Sequence, residues 1–233
     1  MPRAVLFDLD DTLFDHRRSA RAALDAVHRA FAGTVAFEDL ELHHAQYLEE
    51  MHLEVLAGRM SLDDARRERF RKVFEALGLP LQAADAQRVA RTYREGYVTA
   101  RRAIEGAAEL LAMLKPRYRI GIVSNNLLDE QRGKLVFCRL EEYVDVLVVS
   151  EEAGVSKPHP AIFHLALERL HAGASDAVML GDSWSADIVG AAAAGIRPIW
   201  FNSLGLAKPS EPAGVTELRS LVPAAEAIAV IEQ

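Results

Sequence analysis

The stretch Ala4-Val5-Leu6-Phe7-Asp8-Leu9-Asp10-Asp11-Thr12-Leu13 decides how this chain is read. Four apolar residues in a row read as a buried strand, and the strand runs straight into acid. Side chains alternate faces along a strand, so Asp8 and Asp10 point the same way while the extended conformation lasts, and Leu9 points opposite. Carboxylates that close repel one another. They stay ionised together when a cation sits between them, or one of them takes up a proton. A hard divalent ion such as Mg2+ suits oxygen ligands of this kind. Standing alone, the stretch has a plainer reading: an acidic turn that caps a helix, with Asp11 or Thr12 as N-cap.

Outward from this stretch the chain divides by pattern. Residues 15–102 hold no convincing strand, and apolar residues recur there at helical spacing. Ala20, Ala23, Leu24, Val27 and Phe31 mark one helix, and Leu40 to Leu56 a second. A third starts at Ser61, whose acid at Asp64 resembles a capping box, and stops at Gly78-Leu79-Pro80. A fourth runs from about Gln82 to Arg101. His43, His44 and His52 fall in this block at no convincing ligand spacing and read as surface or packing residues. From about residue 104 helices alternate with short apolar runs: Ile120–Val123, Val144–Val149, Ala177–Leu180 and Pro198–Phe201. Trp184–Ala194 and the tail from Pro223 to Ile231 read as helices. Near-continuous apolar strands alternating with helices predict an α/β fold with a doubly wound parallel sheet, Rossmann-like. The expected organisation is a core of residues 1–14 and 103–233, with a helical domain of residues 15–102 inserted after the first strand.

Composition narrows the function. Of 233 residues half are hydrophobic and 26% charged, and the net charge is −7. An acidic chain is not built to coat nucleic acid. No apolar run is long enough to span a membrane, and the first is too short for a signal peptide. The single cysteine, Cys138, cannot form an intrachain disulfide, so a reducing, cytoplasmic setting is expected.

In a parallel sheet, ligands bind beyond the carboxyl ends of the strands. Four polar clusters follow strands or their loops: Asp8/Asp10, Ser124/Asn125, Lys157 and Asp182/Asp187. Each has a bland reading. Ser124 is a natural N-cap, Lys157 a solvated lysine, and the two acids suit the start of a helix. Together on one edge they fit phosphoryl transfer to a carboxylate. A carboxylate nucleophile splits hydrolysis into two steps. A second acid protonates the leaving oxygen and later activates water. A lysine and a hydroxyl hold the phosphoryl oxygens.

This set resembles the four motifs of the haloacid dehalogenase superfamily, in order and along the whole chain, with a helical cap of the C1 type. The resemblance implies a Mg2+-dependent phosphatase acting through an aspartyl-phosphate. Asp8 would be nucleophile and metal ligand. Asp10 would be the general acid/base, and its backbone carbonyl a further ligand. Thr12 would position the motif at the phosphate site, and Ser124, Asn125 and Lys157 would bind the phosphoryl group. Asp182 would ligate Mg2+, while Asp187 would act directly or through water and hold Lys157. Asp11 stands where the superfamily often has glycine, a variant similar to pyrimidine nucleotidases and sugar-acid phosphatases. Phe14, His16 and Arg17 follow the first motif and are candidates for leaving-group recognition, with Phe14 suited to stacking on a base. The expected partner is a small phosphate ester, not a nucleic-acid polymer or a membrane, and the protein a monomer or homodimer. Alternatives of the same fold are a sugar-phosphate mutase and a non-catalytic binding module. Asp10 argues against 2-haloacid dehalogenase activity, which has no oxygen leaving group to protonate.

Overall fold

The computed structural model describes residues 2–233. The chain forms two compact units. Residues up to Asp15 with Arg102–Gln233 make one, and His16–Arg101 the other.

The first unit is a six-stranded, all-parallel sheet. Its strands are β1 (Ala4–Phe7), β2 (Arg119–Ser124), β3 (Val146–Val149), β4 (Ala177–Gly181), β5 (Arg197–Phe201) and β6 (Thr216–Leu218), in the order β3-β2-β1-β4-β5-β6. This is the α/β, Rossmann-like architecture expected. β1 is central, and all four of its residues are fully buried, as a strand covered on both faces requires. The chain steps outward from β1 to β3, then returns to place β4 against the other side of β1. That reversal sets the carboxyl ends of β1 and β4 side by side, at the kind of position where doubly wound sheets bind ligands. Helices of this unit pack on the sheet through apolar side chains such as Ile162, Phe163, Ala166 and Leu170, which meet Leu6, Val123 and Met179.

The second unit consists of helices α1 (His16–Phe31), α2 (Phe37–Leu56), α3 (Leu62–Ala76) and α4 (Ala83–Thr99). The predicted cap on α3 is present: Ser61 Oγ accepts the Asp64 N–H at 3.1 Å. Helices α5 (Ala107–Leu114), α6 (Leu128–Phe137), α7 (Ser150–Ala153), α8 (Pro160–Leu170), α9 (Val189–Ala193) and α10 (Ala224–Ile231) belong to the sheet unit. Three details depart from the sequence reading. The segment after β4 opens as a π-helix, Trp184–Ile188, before α9. The third strand starts at Val146 rather than Val144. β6 is an extra edge strand three residues long.

Candidate active site

β1 ends with the Asp8 N–H bonded to the Leu180 carbonyl of β4 at 2.9 Å, which fixes where Asp8 leaves the sheet. The chain then turns. Asp11 adopts a left-handed conformation, φ 63°, which asparagine, aspartate and glycine tolerate best. Aspartate at this position meets that requirement. Thr12 is fully buried, and its hydroxyl oxygen accepts the Asp182 N–H at 3.1 Å. The loop after β1 is thereby tied to the loop after β4.

Lys157 is the hub. Its side chain is 3% exposed. Its ammonium donates to Asp8 Oδ1 at 2.6 Å, Asp187 Oδ1 at 2.7 Å and the Val123 carbonyl at 2.8 Å, which uses all three of its N–H donors. Asn125 clamps the Lys157 backbone, accepting its N–H at 2.7 Å and donating to its carbonyl at 2.9 Å. Asp187 is fully buried and also accepts the Ser183 N–H at 2.9 Å. Gly181 is required beside it, because a Cβ there would lie 2.3 Å from Asp187 Oδ2.

Oxygens of Asp8, Asp182 and Asp187 lie within 4.8 Å of one another. Lys157 bonds two of these three carboxylates, Asp8 and Asp187. Burial raises the Asp8 carboxyl well above the usual range; Lys157 pulls it back, and Asp187, Asp182 and Asp10 push it up further. Burial opposes the Lys157 charge too, but Asp187 and Asp8 outweigh it and hold its pKa above the ordinary lysine value. Three carboxylates brought this close are oxygen donors of the kind that suits a hard divalent cation.

Asp10 stands apart from that cluster. Lys134 Nζ donates to both of its oxygens, at 2.6 and 2.8 Å, and Gln131 Nε2 donates to Oδ2 at 2.9 Å. Gln131 also bonds Ser124 Oγ at 2.5 Å, which links Asp10 to the end of β2. Gln131 and Lys134 were not anticipated. They lie three apart on α6, and with Leu135 they form its buried face. The aromatic expectation is corrected: Phe14 is fully buried, with Lys134 Nζ 5.2 Å from its ring centre, so it offers no free face to a base. His16 and Arg17 fall in α1, in the first turn of the helical unit. Asp8, Lys157, Asp187 and Asp182 therefore converge, Asn125 and Thr12 hold their loops, and Ser124 joins them to Asp10 through Gln131.

A family model for haloacid dehalogenase-like hydrolases matches residues 2–195. The chain belongs to that family. It is 32% identical over 223 residues to ribulose-1,5-bisphosphate 5-phosphatase of Halopiger xanaduensis, covering 93% of this chain and 89% of that one. It is 30% identical over 243 residues to phosphoserine phosphatase of Thermus thermophilus, covering 93% and 94%. Its fold is that of the HAD-hydrolase YfnB of Bacillus subtilis, solved bound to magnesium, with a TM-score of 0.78 at 24% identity over 100% and 99% of the two chains. Among the described residues no helix is long and apolar enough to cross a membrane.

Proposed function

We propose that this hydrolase releases phosphate from a small phosphomonoester through an aspartyl-phosphate on Asp8, with Mg2+ as cofactor. Its enzyme class, phosphoric monoester hydrolase, is that of relatives aligned along nearly the whole chain. The observation that carries the mechanism is the hub geometry: Lys157 bonded to Asp8 and Asp187 inside a cluster of three carboxylates.

Asp8 attacks phosphorus with one carboxylate oxygen, and the bond to the ester oxygen breaks. Asp10, steered by Lys134 and Gln131, donates a proton to that leaving oxygen. In the second step Asp10 takes a proton from water as the water oxygen attacks phosphorus, and the bond to Asp8 breaks. Lys157, Ser124 and backbone N–H groups of the strand-end loops stabilise the negative oxygens as charge shifts. Asp8, Asp182 and Asp187, with the Asp10 main-chain carbonyl, would hold the cation. Bound there, it supplies the positive charge that offsets repulsion between a carboxylate and an anionic substrate. The helical unit acts as the cap that selects the leaving group and excludes water from the first step. Asp10 favours this reading over carbon–halogen cleavage, because an oxygen leaving group needs the proton it gives.

The test is phosphate release from nucleoside monophosphates, sugar phosphates, short acid phosphates and p-nitrophenyl phosphate, with Mg2+ or with chelator. The expected result is release that requires Mg2+ and is lost in Asp8→Asn. Turnover at the wild-type rate in Asp8→Asn, or a sugar phosphate isomerised without free phosphate, would overturn it.

A further inference from the structure

The chain has two tryptophans, Trp184 and Trp200, and the sheet unit brings them together beside Asp182. Trp184 opens the π-helix after β4, and Trp200 lies in β5. Their rings meet edge to face, 5.1 Å between centres at 85°. In the parallel ladder Trp200 stands opposite Gly181, the residue before Asp182. Ile188 and Val215 complete a small apolar corner around Trp200, which is 2% exposed.

An apolar corner of this kind accounts for a large hydrophobic residue in β5. It does not account for an indole. The indole nitrogen is a donor with no second role, and burying it without an acceptor is costly. Here it has a specific acceptor: Trp200 Nε1–H donates to the main-chain carbonyl of Asp182 at 2.9 Å. Asp182 lies just past the last residue of β4, where the ladder to β5 has ended. Its own N–H is held from the other side, by the hydroxyl oxygen of the buried Thr12 at 3.1 Å. The two peptide groups that flank the Asp182 Cα are thus each tied to a buried side chain, one from the loop after β1 and one from β5.

This matters for the acidic cluster. Lys157 holds the carboxylates of Asp8 and Asp187 directly. At Asp182 the bonds from Trp200 and to Thr12 act on the main chain instead. With that backbone fixed, the side-chain torsions alone aim the carboxylate, and one of its oxygens stands within 4.8 Å of oxygens of Asp8 and Asp187. Trp184 backs the Trp200 ring and is pinned in turn, donating from Nε1–H to the Glu211 carbonyl at 2.8 Å.

We propose that Trp200 is a positioning residue for the divalent cation: its indole N–H fixes the peptide that aims Asp182. This rests on the reading of Asp8, Asp182 and Asp187 as the Mg2+ site. Removing a group that holds a metal ligand in place lowers metal affinity by about 10- to 100-fold.

The test is calorimetric titration of chelator-treated protein with MgCl2. Trp200→Phe keeps an aromatic ring in the corner and loses the donor. Trp184→Phe removes the other indole from the same corner and leaves the donor to Asp182 in place, so it measures what loosening alone does. Trp200→Phe is expected to bind Mg2+ with a Kd at least about tenfold above both the wild-type protein and Trp184→Phe. Saturating Mg2+ should bring its kcat for phosphate release back to within about threefold of wild type, a recovery that a damaged fold would not show. A smaller rise in Kd over either reference, or a kcat that stays below that range, would overturn the proposal. If the wild-type protein releases no phosphate, the Kd comparison decides alone. If the wild-type protein takes up no Mg2+, the cofactor reading fails and this proposal fails with it. Should Trp200→Phe not fold by circular dichroism, Trp200 is replaced, in Trp184→Phe protein, by β-(3-benzothienyl)alanine, which has the shape of tryptophan with sulfur in place of N–H. The same rise in Kd over Trp184→Phe is then expected, and its absence overturns the proposal.

Discussion

Lys157 and Lys134 show how two buried lysines divide one site. Each has a 3% exposed side chain and an aspartate within 2.6 Å. Such charges are retained in an interior when paired, and removing one partner leaves the other uncompensated. Lys157 binds Asp8, the proposed nucleophile, and its neighbour Asp187; Lys134 binds Asp10, the proposed acid/base. Lys134→Met should therefore impair chemistry more than binding. We expect kcat to fall by about 10- to 100-fold with KM within about threefold of wild type. Steady-state kinetics on an alkyl phosphate measures this, and a loss confined to KM would contradict the positioning role. His44 makes a second prediction at this scale. Its folded pKa lies well below the unfolded value near 6.5, so the fold holds the ring neutral. Its stabilising effect is fully present above pH 6.5. It is lost as pH falls from there toward the folded pKa, at up to about 1.4 kcal/mol per pH unit. Urea unfolding at a series of pH values should show that slope reduced in His44→Phe.

At the scale of elements, the strand ends explain why the site was readable from sequence and where reading stopped. An apolar run that stops in Asp8-Leu9-Asp10 announces both the strand and its edge. Lys157 was legible through its place in a glycine- and proline-rich loop. Gln131 and Lys134 were not, because polar residues on a helix ordinarily face water, and only tertiary packing turns that face of α6 inward. β6 escaped because Thr216-Glu217-Leu218 has no apolar run, and an edge strand is defined by its neighbour. The π-helix Trp184–Ile188 escaped because a change of hydrogen-bond register leaves no mark on apolar spacing. Close packing between elements also locates a sensitive position. A Cβ at Gly190 would stand 2.7 Å from the Phe163 ring and 2.9 Å from Pro158 Cα, next to Lys157. Gly190→Ala should cost about 1–3 kcal/mol by overpacking and should also lower kcat by shifting the Lys157 loop. Thermal unfolding and kinetics on the same preparation read the two effects.

At the scale of the whole molecule, the two units carry different kinds of information. The sheet unit brings four separated sequence clusters to one edge because every strand is parallel and β4 returns beside β1. Reaction type was legible for that reason: each cluster stands at a strand end or in the loop after one, and the expected fold itself implied their convergence. Specificity was not legible. Helical periodicity in residues 16–101 marks which side chains are buried and is silent on which buried polar groups lack partners. His43, His44 and His52 looked alike in sequence, and only packing buries His44 while leaving the other two half-buried.

The most direct test of the account is rapid acid quench of the wild-type enzyme during turnover of a 32P-labelled phosphomonoester with Mg2+, followed by peptide mapping. The account predicts acid-stable, base-labile label on the peptide that carries Asp8, formed and lost at rates compatible with turnover and absent from Asp8→Asn. Release of phosphate with no protein-bound label at any time, or label mapped to a peptide without Asp8, would contradict it.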